Sequence, residues 1–138
     1  MEKQNKKSEP SFYVNFKKVY ARNIDSNISL LNFLRHNCKF TGTKEGCSEG
    51  DCGACSVLIF DEKGSLAPVN SCILKVGQIL DKNIVTIEGA SKLSSAKPLI
   101  QALNSKAASQ CGFCTPGFVM AALALKEKHK SPPETVSY

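Results

Sequence analysis

The sequence predicts an α+β fold, on three observations. Short β-type runs cluster before Gly89. One segment with helical spacing interrupts them. After Gly89 the apolar residues recur at helical spacing only. The change at Gly89 divides the chain into a polar tail (1–10), a mixed α+β domain (11–90) and a helical domain (91–138).

Residues 1–10 are polar and end at Pro10, which predicts a disordered tail. Ser11–Phe16 (SFYVNF) alternates apolar and polar residues, as a half-buried strand does. Val19–Ile24 (VYARNI) alternates less cleanly and predicts a second strand, with the turn at Lys17-Lys18. Ile28, Leu30, Leu31, Phe33 and Leu34 then predict a helix ending near Asn37, with Ser26 or Ser29 as its cap. Thr41–Cys55 is too rich in glycine and charge for a regular element and reads as a loop. Ser56–Phe60 (SVLIF) is an apolar strand, followed by a turn at Asp61-Glu62-Lys63-Gly64. A further strand is expected within Val69–Val76 around Cys72, and another over Ile84–Ile87, ended by Glu88-Gly89.

Two helices follow. Lys97–Lys106 accepts Pro98 in its first turn. Pro116–His129 carries Lys126 and Lys128 near its C-terminus, where cations complement the helix dipole, and Ser131-Pro132-Pro133 stops it. Each helix must bury an apolar face, either on the first domain or on a partner elsewhere.

No run of the 138 residues is apolar enough to span a membrane, and the N-terminus lacks the apolar run of a secretory signal. A cytoplasmic protein is expected, with no membrane partner. The net charge is +6, much of it in two lysine runs at the ends without interleaved aromatics. Those runs read as solvated charge, so no nucleic-acid partner is expected.

There are seven cysteines. In a reducing compartment dense cysteines point to metal binding or redox work. Cys47, Cys52 and Cys55 have the spacing C-x4-C-x2-C, and Cys72 follows; this is the plant-type spacing for a 2Fe-2S cluster. Four thiolates must converge on two irons, and Gly46, Gly50 and Gly53 allow tight backbone with positive φ and inward N–H groups. Glu45, Glu49 and Asp51 are expected to face solvent. Structural zinc is the alternative, although zinc usually takes two close pairs. Cys111-Gly112-Phe113-Cys114 precedes the last helix and is by itself either half a metal site or a redox pair. Cys38 stands apart and reads as a small apolar residue.

TGTKEGCSEGDCGAC (Thr41–Cys55), NSC (Asn70–Cys72) and QCGFCTPGF (Gln110–Phe118) together resemble the iron–sulfur region of the molybdenum hydroxylases, in particular the small, FAD-carrying subunit of bacterial xanthine dehydrogenase. The resemblance runs from about Phe12 to His129. It implies a β-grasp 2Fe-2S ferredoxin-like domain with Cys47, Cys52, Cys55 and Cys72 as ligands, followed by a helical 2Fe-2S-binding bundle domain. It implies Cys111 and Cys114 as ligands of a second 2Fe-2S cluster, and Gln110 as a contact to the pterin of a molybdenum cofactor on a partner subunit. Electrons would pass from the molybdenum centre through 2Fe-2S towards FAD. The sequence departs from the family after Cys114: the C-x-C that would complete the second cluster is absent, as is an FAD domain. The expectation is therefore an incomplete bundle in a truncated or split subunit. Its second cluster would form only if further ligands are supplied, and FAD and the molybdenum cofactor would lie on a missing segment or partner. The alternatives are a free-standing one-cluster carrier and a non-functional gene fragment.

Overall fold

The structure, a computed structural model, describes residues 9–60 and 66–128. The expected tail, apart from Glu9 and Pro10, the turn at Asp61–Gly64 and the helix stop after Lys128 lie outside the described residues. Five strands form one sheet: β1 (Ser11–Val14), β2 (Lys17–Tyr20), β3 (Ser56–Phe60), β4 (Leu66–Asn70) and β5 (Asn83–Val85). Their order is β2-β1-β5-β3-β4, with β1 and β5 parallel and the other pairs antiparallel.

The first hairpin turns at Asn15-Phe16, not at Lys17-Lys18, which begin β2. Asn15 and Phe16 both have positive φ, 50° and 69°, as the two-residue turns whose twist suits a hairpin require. Asparagine tolerates this conformation, and phenylalanine does so rarely. Tertiary contacts hold the turn. Asn15 Nδ2 donates to Thr86 Oγ1 at 2.9 Å, and Thr86 N donates to Asn15 Oδ1 at 2.9 Å. The Phe16 ring meets Phe60 edge-on at 6.2 Å.

Helix α1 begins as an α-helix over Leu30–Asn32, where Ser29 Oγ accepts from Asn32 N at 3.2 Å. It widens over Phe33–Asn37 into a π-type turn, closed by Cys38 N donating to Phe33 O at 3.1 Å. Leu30, Phe33 and Leu34 pack on Phe12, Val14, Val57 and Ile84, all on one sheet face.

Strand β4 lies earlier than expected and ends at Asn70, so Cys72 sits in the turn after it. Pro68 falls inside β4, which an edge position permits because one side of an edge strand needs no ladder hydrogen bond. Strand β5 stops at Val85 because the Thr86 amide is taken by Asn15, and Ile87–Ala90 forms a single helical turn, α2.

Helix α3 (Lys97–Ser105) holds Pro98 in its first turn, and α4 spans Thr115–Lys128. Val119, Met120, Leu123 and Ala124 of α4 share a core with Leu58 and Val85. Leu58 and Val85 are register partners and neighbour Val57 and Ile84 in their strands, so they point to the opposite face. The sheet thus lies between α1 and α4. The last helix buries its apolar side on the sheet, against Leu58 and Val85.

Candidate metal centre

The loop between α1 and β3 is tied down at its start. Arg35 Nη1, from the π-type turn, donates to the carbonyls of Thr41 at 3.0 Å and Thr43 at 2.8 Å. Gly42 N donates to Glu88 Oε1 at 2.7 Å, and Lys44 N to Ala54 O at 3.2 Å. Two residues of the NSC stretch hold its far side. Asn70 Nδ2 donates to Gly50 O at 2.7 Å, and Ser71 Oγ to Cys55 O at 2.7 Å. Sequence reasoning missed Arg35 and Glu88 altogether. It singled out NSC only for its cysteine, although that motif carried the signal for Asn70 and Ser71.

The three loop glycines act differently from one another. Gly50 and Gly53 have positive φ, 81° and 73°, as expected. Gly46 does not. Its requirement is space, because a Cβ there would stand 2.7 Å from Cys52 Sγ. Ser48 also takes positive φ, 57°. The amides that reach sulfur belong to the residues between the glycines. Asp51 N and Cys52 N donate to Cys47 Sγ at 3.3 Å, Glu49 N donates to it at 3.5 Å, and Cys47 N donates to Cys52 Sγ at 3.4 Å. Glu45, Glu49 and Asp51 are exposed, as expected.

These amides set the acidity of the thiols. The Cys52 N–H, followed by those of Glu49 and Asp51, brings the Cys47 thiol down to about 7 by favouring the thiolate. Burial, with the neighbouring Cys55 thiol, pushes Cys72 up to about 11. The fold therefore brings Cys72 beside Cys55 and within electrostatic reach of Cys47, while Cys47 and Cys52 are joined by N–H···S bonds. All seven cysteines are free thiols. Among the described residues no three His, Cys, Asp or Glu side chains surround a single ion position. A 2Fe-2S cluster does not need one, since each iron takes two thiolates. Two adjacent thiol pairs, with amides aimed at sulfur, are a donor set that fits such a cluster.

The second motif is built with fewer ties. Cys111 and Cys114 are exposed at the mouth of α4, and Gln110 is exposed beside them. Gly112 has φ 82°, and Ser109 Oγ and Thr115 Oγ1 are hydrogen-bonded at 2.7 Å across the turn. An apolar groove of about 310 Å³ runs alongside, between α2, α3 and the start of α4. Cys38 is half-buried against the α1 core, as expected, and burial raises its thiol.

The second motif is not remote from the first. A Cβ on Gly117, in the first turn of α4, would overlap the Gly53 carbonyl oxygen, so helix and loop backbones are in direct contact. The same imagined Cβ on Gly46 that meets Cys52 Sγ lies 3.8 Å from Cε1 of Phe113.

Residues 86–137 match the family model described as the [2Fe-2S] binding domain. The fold is similar to a chain of quinoline 2-oxidoreductase from Pseudomonas putida 86, with a TM-score of 0.65 and 31% identity, over 86% of this chain and 71% of that one. Aldehyde oxidase 1 of Rattus norvegicus is 40% identical over 127 residues, 88% of this chain and 10% of the relative. Xanthine dehydrogenase of Blastobotrys adeninivorans is 42% identical over 120 residues, 83% of this chain and 8% of the relative. The chain belongs to one family with that quinoline 2-oxidoreductase chain. It is homologous to the iron–sulfur region of the xanthine dehydrogenase and aldehyde oxidase enzymes, and it spans about a tenth of the length of the curated relatives it matches. Among the described residues no helix is long and apolar enough to cross a membrane.

Proposed function

We propose that this chain is the electron-transfer iron–sulfur component of a xanthine dehydrogenase-like molybdenum hydroxylase, related to the small subunit of the bacterial enzymes. Residues 11–90 form a β-grasp ferredoxin-like unit, and 91–138 contribute to a helical 2Fe-2S-binding unit. Cys47, Cys52, Cys55 and Cys72 hold the first cluster. The observation that carries this reading is the two adjacent thiol pairs, on a loop braced from α1, α2 and the end of β4, with backbone N–H groups donating to sulfur.

Bound there, a 2Fe-2S cluster supplies one-electron transfer. The protein's part is to hold and tune it. The N–H groups of Glu49, Asp51 and Cys52 stabilise negative charge on sulfur. Asn70 and Ser71 fix the backbone that presents Cys52 and Cys55. Burial raises the Cys72 thiol, so Cys72 is the one of the four least ready to ionise in the iron-free chain.

Cys111 and Cys114 supply two ligands of a second cluster, whose other ligands come from outside these residues. Gln110 faces the pterin of the molybdenum cofactor on a partner subunit. An FAD domain or subunit accepts the electrons.

The test is iron and acid-labile sulfide per chain on anaerobically purified protein, with electron paramagnetic resonance after reduction. Two irons and one spin signal per chain, on the order expected for one 2Fe-2S site, support the first-site assignment. Stoichiometric zinc in place of iron would overturn it.

A further inference from the structure

Phe113 lies between the two cysteines of the second motif, yet its ring reaches the first. A Cβ built on Gly46 would stand 2.7 Å from Cys52 Sγ and 3.8 Å from Cε1 of Phe113. Any side chain at position 46 would therefore enter the space that this sulfur and this ring border together. Cys52 is exposed, as are Glu49 and Asp51 on the same loop, so the Cys52 side of the site is open to water. Phe113 is itself 46% exposed. The direct contact of Gly117 with the Gly53 carbonyl, four residues along α4, holds this end of the helix against the loop. Positions 113 and 117 thus bracket a seam between the two thiol motifs.

We infer that Phe113 is a partial shield for the first cluster: from a place within the second thiol pair its ring stands on the Gly46 side of Cys52 and keeps water from that side, while the outer side of Cys52 stays open. The inference rests on the proposed ligand role of Cys52. The physical consequence is directional. One-electron reduction adds negative charge to a group that is already anionic, and water stabilises added charge better than an aromatic ring does. Solvent exposure is one of the factors that set cluster potentials. Removing the ring therefore raises the potential and opens the iron–sulfur bonds to water and chelators. Leucine at 113 keeps an apolar cover, whereas alanine does not.

The experiment compares the full chain, loaded with iron and sulfide, with Phe113→Ala and Phe113→Leu. Iron per chain is measured first, then the reduction potential of the first cluster by titration under electron paramagnetic resonance, then the rate of visible bleaching by a ferrous chelator. The expected result is unchanged first-site iron in both variants. Phe113→Ala should show an upward shift in potential and bleaching several-fold faster, with Phe113→Leu closer to the unsubstituted chain on both. Unchanged potential and bleaching in Phe113→Ala at full iron content would overturn the shield. A chain that takes up no iron would overturn the ligand reading instead. The shield is then decided on the free thiols, by the iodoacetamide labelling rate of Cys52 mapped by mass spectrometry. Labelling several-fold faster in Phe113→Ala than in Phe113→Leu supports the cover, and equal rates overturn it.

Discussion

The loop from Lys44 to Cys55 carries three thiols and is held by hydrogen bonds from Asn70 and Ser71 and by its own Lys44 N bond to the Ala54 carbonyl, with Arg35 and Glu88 securing the approach at Thr41–Thr43. The segment from Gln110 to Cys114 carries two thiols on an open turn, with one side-chain hydrogen bond across it. The first region brings Cys72, in the turn after β4, beside Cys55, just before β3. The second has the half-buried start of a helix and a backbone contact through Gly117. The contrast teaches that spacing alone does not make a thiol pair a complete site. What the first region has in addition is the turn after β4, which returns Cys72 to Cys55.

The comparison can be broken most directly by removing a ligand. Cys52→Ser should lose the iron of the first site entirely, whereas Cys111→Ser should leave that iron in place. Both are read by iron analysis and electron paramagnetic resonance, and equal losses would mean that the two regions form one site. The contact between the regions is tested by Gly117→Ala. Its new methyl group meets backbone rather than a flexible side chain, so a loss of about 1–3 kcal/mol in urea unfolding is expected, as for other overpacked substitutions. The bracing of the first loop is sharpened by Asn70→Ala. Leaving the Gly50 carbonyl without its partner should cost about 1 kcal/mol, with faster iron loss to a chelator.

Acidity separates the thiols within the first region. The thiolate is the form that alkylates. In the iron-free chain Cys47 should react with a midpoint near its lowered value of about 7, and Cys72 only as pH rises towards about 11. Labelling at pH 8 mapped by mass spectrometry should find Cys47 ahead of Cys72, and the reverse order would contradict the N–H···S bonds. The smallest effect is expected at Cys38, which packs against the α1 core away from both motifs. Cys38→Ser should leave iron content unchanged.

Much of the candidate site was legible before any fold was known. C-x4-C-x2-C with interleaved glycines is a local pattern, and the helices after Gly89 announce themselves by their spacing. The errors share a cause. Lys17-Lys18 looks like a turn because it is polar, but the turn is at Asn15-Phe16, where a side chain to Thr86, 71 residues away, supports positive φ. The strand expected within Val69–Val76 around Cys72 lies earlier, at Leu66–Asn70 with Pro68 inside it, and only the sheet order reveals that β4 is an edge. Gly46 was grouped with Gly50 and Gly53 as a conformational glycine, yet its need is steric and arises from where Cys52 Sγ lies.

The sequence by itself determined the chemistry on offer: which thiols are close along the chain, where backbone can turn sharply, and which stretches are helical. These follow from residue type and short covalent spacing. Tertiary structure alone decided that α4 lies on the sheet face opposite α1, that Cys72 returns to Cys55, and that Phe113 and Gly117 reach the Cys47–Cys55 loop. Those contacts join residues far apart in the chain. They depend on which apolar faces can be buried together, which no local window of sequence encodes.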